Sequence, residues 1–511
     1  MIDYGDELLY FSRRLEYVDL LQNIDISALS HSTAEQLLEK LGKAGFYLGD
    51  YDDDGITLSS YQKLCDSTNN PKWLFYQARV YRYRERKGDH GKAVDILKQV
   101  VVQAQQQNHL VLIPQAQLEM GAICVKLNEI PQAIQLIKEG MVFFDIDLQT
   151  AENASLENIE HAFDISGISS EHYNSIAWGL RHAGLAYVRQ GKANPTIACW
   201  YAAKALWEKM EDNLNVAAMH TNLGGAYQLF SISLEKSKYH LQTAQVILEE
   251  QQSLYELFRL YNMLTHLYMT KGDFYNALQT SNKILYLTEQ GLEVSLGHDL
   301  ETRGRIYDSI EQWEQAEHFY KESLNYVAPQ FRITREIYLA DMYLSWGRRL
   351  KYNKKHAIDK YYTAKKQFET LLDLAEEKGT SNDDIPRIKL GLAEVLLGIV
   401  SLSNNDGDNT VLDDIQTMLE QTQSEFRTIS EDRQAEWWFI PARIDRVWAE
   451  YHRLQGHFSE TESLLENTWD SLLSDMVENG VNKEEIWVLE ALVDLERTMK
   501  GETHDHNQSA K

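Results

Sequence analysis

Few residues of this 511-residue chain are spaced for chemistry. Asp50-Tyr51-Asp52-Asp53-Asp54-Gly55 sets carboxylates at the first, third and fifth positions of a calcium-binding loop and then its glycine, but the twelfth position, where a bidentate glutamate is required, is Tyr61. The stretch reads as an acidic turn. His504 and His506 flank Asp505 in a polar tail, GETHDHNQSAK, whose composition predicts disorder, so no fold fixes them as ligands. Cys65, Cys124 and Cys199 are widely spaced and lie in helical patterns, where a buried thiol is the ordinary reading. A glycine-rich phosphate loop, a His-Glu-x-x-His helix and a Gly-x-Ser-x-Gly elbow are all missing. The expectation is a protein that is not an enzyme and carries no cofactor and no metal.

Charge narrows the partners. With 77 acidic against 50 basic residues the net charge is -27, which opposes phosphate backbones and anionic membranes. Direct nucleic-acid and membrane binding are therefore not expected. The most continuous apolar stretch, Leu390 to Leu402, contains Glu394 and is too short to span a bilayer. The N-terminus, MIDYGDELLYF, lacks the basic region and apolar run of a secretory signal, so a cytoplasmic location is expected.

The elements that would position any site are read from a repeat. Ala93, Ala133, Ala198, Ser237, Ala277, Ala316 and Ala357 recur at intervals of 40, 65, 39, 40, 39 and 41 residues, most with a glycine about twelve positions upstream. Only 7 prolines and 27 glycines punctuate the chain, and long Val/Ile alternations are absent, which makes it all-helical. In LTHLYMTKGDFYNALQTSNKIL, Leu264, Tyr268, Ala277, Ser281 and Ile284 fall at helical spacing on either side of Lys271-Gly272-Asp273. Glycine can close the first helix there and aspartate can cap the second. Ala277 and Ser281 are small because the two helices must cross closely.

This unit resembles a tetratricopeptide repeat. Gly121, Cys124, Ala133 and Ile137 match in the same register, as do Gly184, Tyr187, Ala198 and Ala205, and then Leu223, Gly224, Tyr227, Leu241 and Ala244. Gly304, Tyr307, Trp313, Ala316 and Tyr320 continue the series, followed by Trp346, Gly347, Ala357, Tyr361 and Ala364. Tyr81 and Ala93 begin it, and Ala449, Gly456 and Leu465 resume it near the C-terminus. The resemblance implies a right-handed superhelical solenoid of antiparallel helix pairs. Spacing near 40 rather than 34 residues resembles the extended repeats of bacterial peptide-sensing regulators.

The expected organisation is a small N-terminal helical segment over 1–70, reading as short helices over 6–21, 32–41 and 58–67, and acting as a cap or partner-binding piece. A repeat array over 71–370, divergent helix pairs over 371–500 and the tail 501–511 follow. A surplus at 144–171 is either a degenerate helix or an ordered loop, and its acidity suggests a cover for the ligand groove. Trp437-Trp438 cannot share one buried stripe, since neighbours on a helix point about 100 degrees apart. At least one should meet a neighbouring helix, a ligand or a second chain.

In tetratricopeptide arrays the first helix of each pair lines the concave side, so the resemblance also implies ligand contacts. Carried through the register, the inner positions are Lys126, Trp178, Arg181, His182, Arg189, Asn222, Gln228, Arg259, Asn262, Met263, His266, Arg305, Arg348, Lys351 and Tyr352. Acids at the same positions are fewer: Glu119, Glu301, Asp308 and Asp341. Arginine forks hold carboxylates, and an asparagine amide can bond both groups of an extended peptide bond. The expected partner is a protein or peptide segment with acidic side chains or a free C-terminal carboxylate, and a homo-oligomer is compatible with the pattern. The competing reading pairs these arginines with acids of adjacent helices. The function expected is a non-catalytic, bacterial protein- or peptide-binding scaffold acting as a regulator or adaptor; the alternative is a structural or accessory subunit of a larger complex.

Overall fold

The structure, a computed structural model, describes residues 29–48, 55–84, 86–290, 296–327, 332–378, 384–403, 409–429, 439–479 and 483–499. The expected helix at 6–21, the acidic run 50–54, Trp437-Trp438 and the histidines of the tail lie outside these residues. Among the described residues every regular element is a helix, and no helix is long and apolar enough to cross a membrane. The chain divides into two compact units, Met1–Ala226 and Tyr227–Lys511, the division falling inside one helix.

The first unit runs through α1 (His31–Leu48), α2 (Ile56–Ser67), α3 (Pro71–Arg84), α4 (Asp89–Gln106), α5 (Leu112–Lys126), α6 (Ile130–Val142), the single turn α7 (Gln149–Glu152), α8 (Tyr173–Arg189), α9 (Ala193–Lys209) and most of α10 (Asn213–Leu229). Consecutive helices pack as hairpins: α1 with α2, α3 with α4, α5 with α6, α8 with α9. The first helices also follow one another, α3 beside α5 and α5 beside α8, so their outward sides share one face.

The second unit continues with α11 (Leu234–Gln251), α12 (Leu254–Thr270), α13 (Phe274–Glu289), α14 (Gly297–Ser309), α15 (Trp313–Ser323), α16 (Arg332–Arg349), α17 (Lys354–Lys378), α18 (Asp384–Leu402), α19 (Asn409–Phe426), α20 (Ile440–Leu454), α21 (Phe458–Asn479) and α22 (Lys483–Met499). Pairing repeats from α12/α13 to α20/α21, and α16, α18, α20 and α22 follow one another as first helices.

The residues that set the repeat in the sequence do so for a steric reason. Ala93, Ala133, Ala198, Ser237, Ala277, Ala316 and Ala357 are all buried, at most 1% exposed. A methyl or hydroxymethyl at the crossing lets two helix axes approach; a longer side chain there would overpack by roughly 1 to 3 kcal/mol. Gly304 meets the same demand from the other helix, because a Cβ added to it would lie 2.7 Å from the Tyr320 ring. The turn of the clearest unit is built as its residues require: Gly272 is left-handed at φ 69°, and the Asp273 carboxylate accepts from the Asn276 N–H at 3.2 Å. Such a cap contributes about 1 kcal/mol. Leu257, Leu260, Tyr261, Leu264 and Leu267 then bury one stripe of α12 against Ala277, Ile284 and Leu287 of α13.

The surplus over 144–171 is an ordered loop carrying isolated turns, α7 and two 3₁₀ turns at Ile159–His161 and Ser170–His172. It packs on α9, with Leu148, Ala151 and Ile159 buried. Glu152 accepts from the Tyr187 hydroxyl at 2.8 Å and from Lys138 at 3.0 Å, and Asn194 donates to the Ala154 carbonyl at 2.9 Å. These anchors tie the loop to α6, α8 and α9, and its last turn, Ser170–His172, packs on the first helix α8.

A basic aromatic cavity on the first-helix face

Three helices of the first unit converge on a cavity of about 310 Å³. Lys72, Tyr76, Arg79 and Arg82 reach it from α3, Leu112, Gln115, Leu118 and Glu119 from α5, and Asn174, Trp178 and His182 from α8. Steps of three and four residues put the α3 and α8 sets each on one side of their helix. Glu171, from the last turn of the surplus loop, closes the rim.

Two arginines share one acid. Arg79 Nε lies 3.1 Å from Glu119 Oε1, and Arg82 Nη1 donates to Glu119 Oε2 at 2.5 Å. Arg82 is only 5% exposed, and its Nε is buried without a hydrogen-bond acceptor among the described residues. An unmet charged donor in a dry site costs more than an exposed one, so the arrangement favours a further acceptor. Arg181 lies 4.9 Å over the Trp178 ring, and Trp178 meets Trp207 edge to face at 5.5 Å, which fixes the aromatic wall. Gln115 bridges α5 to α8 by donating to Ser175 Oγ at 2.9 Å.

His182 reports the local field. Burial first, then the Arg82 guanidinium, and after them Arg181 and Lys126 push its pKa well below the ordinary value; the Trp178 carbonyl acts the other way. The ring is therefore neutral near pH 7. Its Nδ1 lies 2.7 Å from that carbonyl, which can only accept, so Nδ1 carries the hydrogen and Nε2 is left as an acceptor. The cavity thus offers cationic donors for an anion and a neutral acceptor for an adjoining N–H.

The other inner-position residues are distributed unevenly. Lys126 is exposed at the end of α5 and Arg189 at the end of α8. Asn222 and Asn262 were expected to present amides to a peptide; both are buried, at 7% and 9% exposure, and the Asn262 amide donates to the Phe258 carbonyl at 2.9 Å. Close helix packing, not the register, decides their role. In the second unit Gln228 donates to Thr270 at 3.3 Å, and Arg259 donates to Glu256 at 2.7 Å. His266 and His298 face each other with Nε2 atoms 3.1 Å apart. Arg305 lies 5.5 Å over Tyr338.

Arg348 donates to Glu394 at 3.0 Å and Lys351 to Asp494 at 2.6 Å. Around them Asp341 accepts from Arg387 and Arg443, both at 2.9 Å, while Glu394 also accepts from Arg443 at 3.0 Å and Arg446 at 2.9 Å. Burial alone would raise the Glu394 carboxyl; Arg446, Arg443 and Arg348 overcome it and bring the pKa down to about 2. For this part of the second unit the pairing of arginines with neighbouring acids is what the fold contains.

Arg79, Arg82, Gln115 and His298 escaped the sequence reading. α3 lacks the glycine that sets the register, although the spacing of Lys72, Tyr76, Arg79 and Arg82 carries the face; His298 stands at an inner position of α14 and is readable from Gly304.

No protein-family model matches the chain, and no curated protein matches it. Among solved structures it is similar to a tetratricopeptide repeat protein from Parabacteroides merdae, with 15% identity over 64% of this chain and 99% of that one and a TM-score of 0.40. It is similar to the apo form of RapI, with 13% identity over 85% of this chain and 98% of that one and a TM-score of 0.44. A Rap protein complexed with competence and sporulation factor shows 14% identity over 87% of this chain and 100% of that one, with a TM-score of 0.39. In its own hairpins, buried alanine crossings and glycine-aspartate turn, the fold of this chain is tetratricopeptide-like.

Proposed function

We propose that this protein is a protein- or peptide-binding repeat scaffold, a regulator or adaptor, and that the cavity between α3, α5 and α8 takes a carboxylate of its partner. The observation that carries the reading is Arg82: buried, half-satisfied by Glu119, and set beside Arg79 in an open space. A partner carboxylate would share the Arg79 and Arg82 guanidiniums with Glu119, and its neighbouring backbone N–H would find His182 Nε2. Trp178, Tyr76 and Leu118 supply the apolar wall for the same residue. Lys126, Arg181 and Arg189 extend the cationic character along the partner's path.

The test is fluorescence anisotropy with a set of labelled peptides that differ in internal Asp and Glu content and in a free or amidated C-terminus. The wild-type chain should select the peptides with a carboxylate, and Arg79→Ala with Arg82→Ala should weaken that binding by about tenfold or more. Equal affinity of the wild type and the double variant would end the reading. Loss of binding on amidation alone would assign the free terminus; indifference to amidation would assign an internal acid.

A further inference from the structure

The sequence register placed Arg348 and Lys351 where an acidic segment should bind, and an acidic segment of the same chain is found there. One side of α22 carries Glu484, Trp487, Glu490 and Asp494, spaced to share a helical face. Arg446 donates to Glu484 at 2.7 and 3.2 Å, and Trp487 lies against two guanidiniums, Arg348 at 4.9 Å and Arg446 at 5.1 Å. Further along, Arg349 pairs with Glu490, and Lys351 donates to Asp494 at 2.6 Å.

These contacts change in character along α22. At its start Glu484 and Arg446 are each about 3% exposed, so breaking their pair would strand a buried charge. At its far end Arg349, Glu490, Lys351 and Asp494 are each between 33% and 39% exposed. Pairs of that kind hold weakly and are screened by salt. The ion pairs are therefore tight at one end and weak at the other, where the inner side of the helix rests on an apolar seat: Val488 and Leu495, at most 1% exposed, pack with Ala442, Ala449, Leu465 and Leu472. The side away from that core is apolar and, among the described residues, open, with Ile486, Leu489 and Val493 at 48, 47 and 39% exposure.

We propose that the cationic edge formed by Arg348, Arg349 and Lys351 is a second recognition surface, for an acidic amphipathic helix bearing a tryptophan, and that α22 is its resident, displaceable occupant. The outer half of α22 leaves when a competing acidic helix arrives, while Glu484 keeps the helix tethered. This stands apart from the cavity of the first unit, and failure of one leaves the other untouched.

The experiment uses the full chain. Glu490→Lys with Asp494→Lys reverses only partly exposed charges, so the variant keeps its fold, which circular dichroism checks. Hydrogen exchange is followed over residues 489–499, and the probe is a labelled synthetic peptide of residues 483–499 added in trans. In the variant, protection of the outer half should fall by about tenfold, and the peptide should bind at least tenfold more tightly than it does to the wild type. Adding Arg349→Glu and Lys351→Glu should restore protection and abolish capture of the peptide. Protection unchanged within about twofold, or equal peptide binding by wild type and variant, would overturn the proposal; so would increased exchange without capture of the peptide.

Discussion

The first-helix faces of the two units carry the same kind of residue and use it in opposite ways. In Met1–Ala226, Arg79 and Arg82 divide a single carboxylate and the space beside them is open. In Tyr227–Lys511, Arg348, Arg387, Arg443 and Arg446 divide Asp341, Glu394 and Glu484, and α22 lies across the space. An arginine on such a face says nothing about a ligand until the acids that the fold itself can bring to it have been counted. Where several cations share one acid, charge is left over; where acids suffice, the same cations become structure.

The contrast can be broken most severely at Glu394. Glu394→Ala leaves the buried Arg443 and Arg446 and the partly buried Arg348 with less than their share of charge, and should cost roughly 3 to 5 kcal/mol in urea unfolding. A cost below about 1 kcal/mol would mean that the network is ornament rather than framework.

Acid should separate histidines from carboxylates. In the first unit, burial and then the Lys204 ammonium hold His220 at a pKa of about 4 against an ordinary 6.5. Its neutral form is favoured by folding, so its contribution is complete above pH 6.5 and is lost as the pH falls toward 4, on the order of 3 kcal/mol in all. Glu394 has the same sign of dependence in a lower window: its contribution, present above pH 4.5, is lost only as the pH falls toward 2. His220→Gln should therefore flatten the decline of melting temperature between pH 6.5 and 4.5. An unchanged slope would assign that decline to other groups.

Ligand binding gives a smaller effect. Raising salt from about 0.05 to 0.5 M should weaken carboxylate-peptide binding to the wild type severalfold and leave the residual binding of the Arg82→Ala variant nearly flat. Smaller still, Glu119→Gln removes the acid that competes for Arg79 and Arg82 while keeping an acceptor, and should raise peptide affinity by about threefold for less than about 1.5 kcal/mol of stability. A fall in affinity would show that Glu119 belongs to the recognition surface itself.

Ala277, Gly272 and Asp273 announced a hairpin because crossing, turn and cap are local demands with a fixed spacing. Trp178 and His182 were placed on a ligand-facing side because Gly184 sets the register of α8, and both line the cavity. Arg79 and Arg82 were missed because α3 offers no glycine from which to count. Asn262 misled, since an amide that turns back to its own Phe258 carbonyl has the same sequence as one that reaches outward. Lys351 and Asp494 could not be joined by any local rule, with 143 positions between them.

The sequence by itself determined the helices, their pairing and the small residues at their crossings, because each depends on periodicity and on neighbours within about forty positions. Tertiary structure alone decided which charges are spent. Ion pairing depends on distances between helices far apart in the chain, and only folding sets Glu394 among three arginines while leaving Arg82 with half a partner.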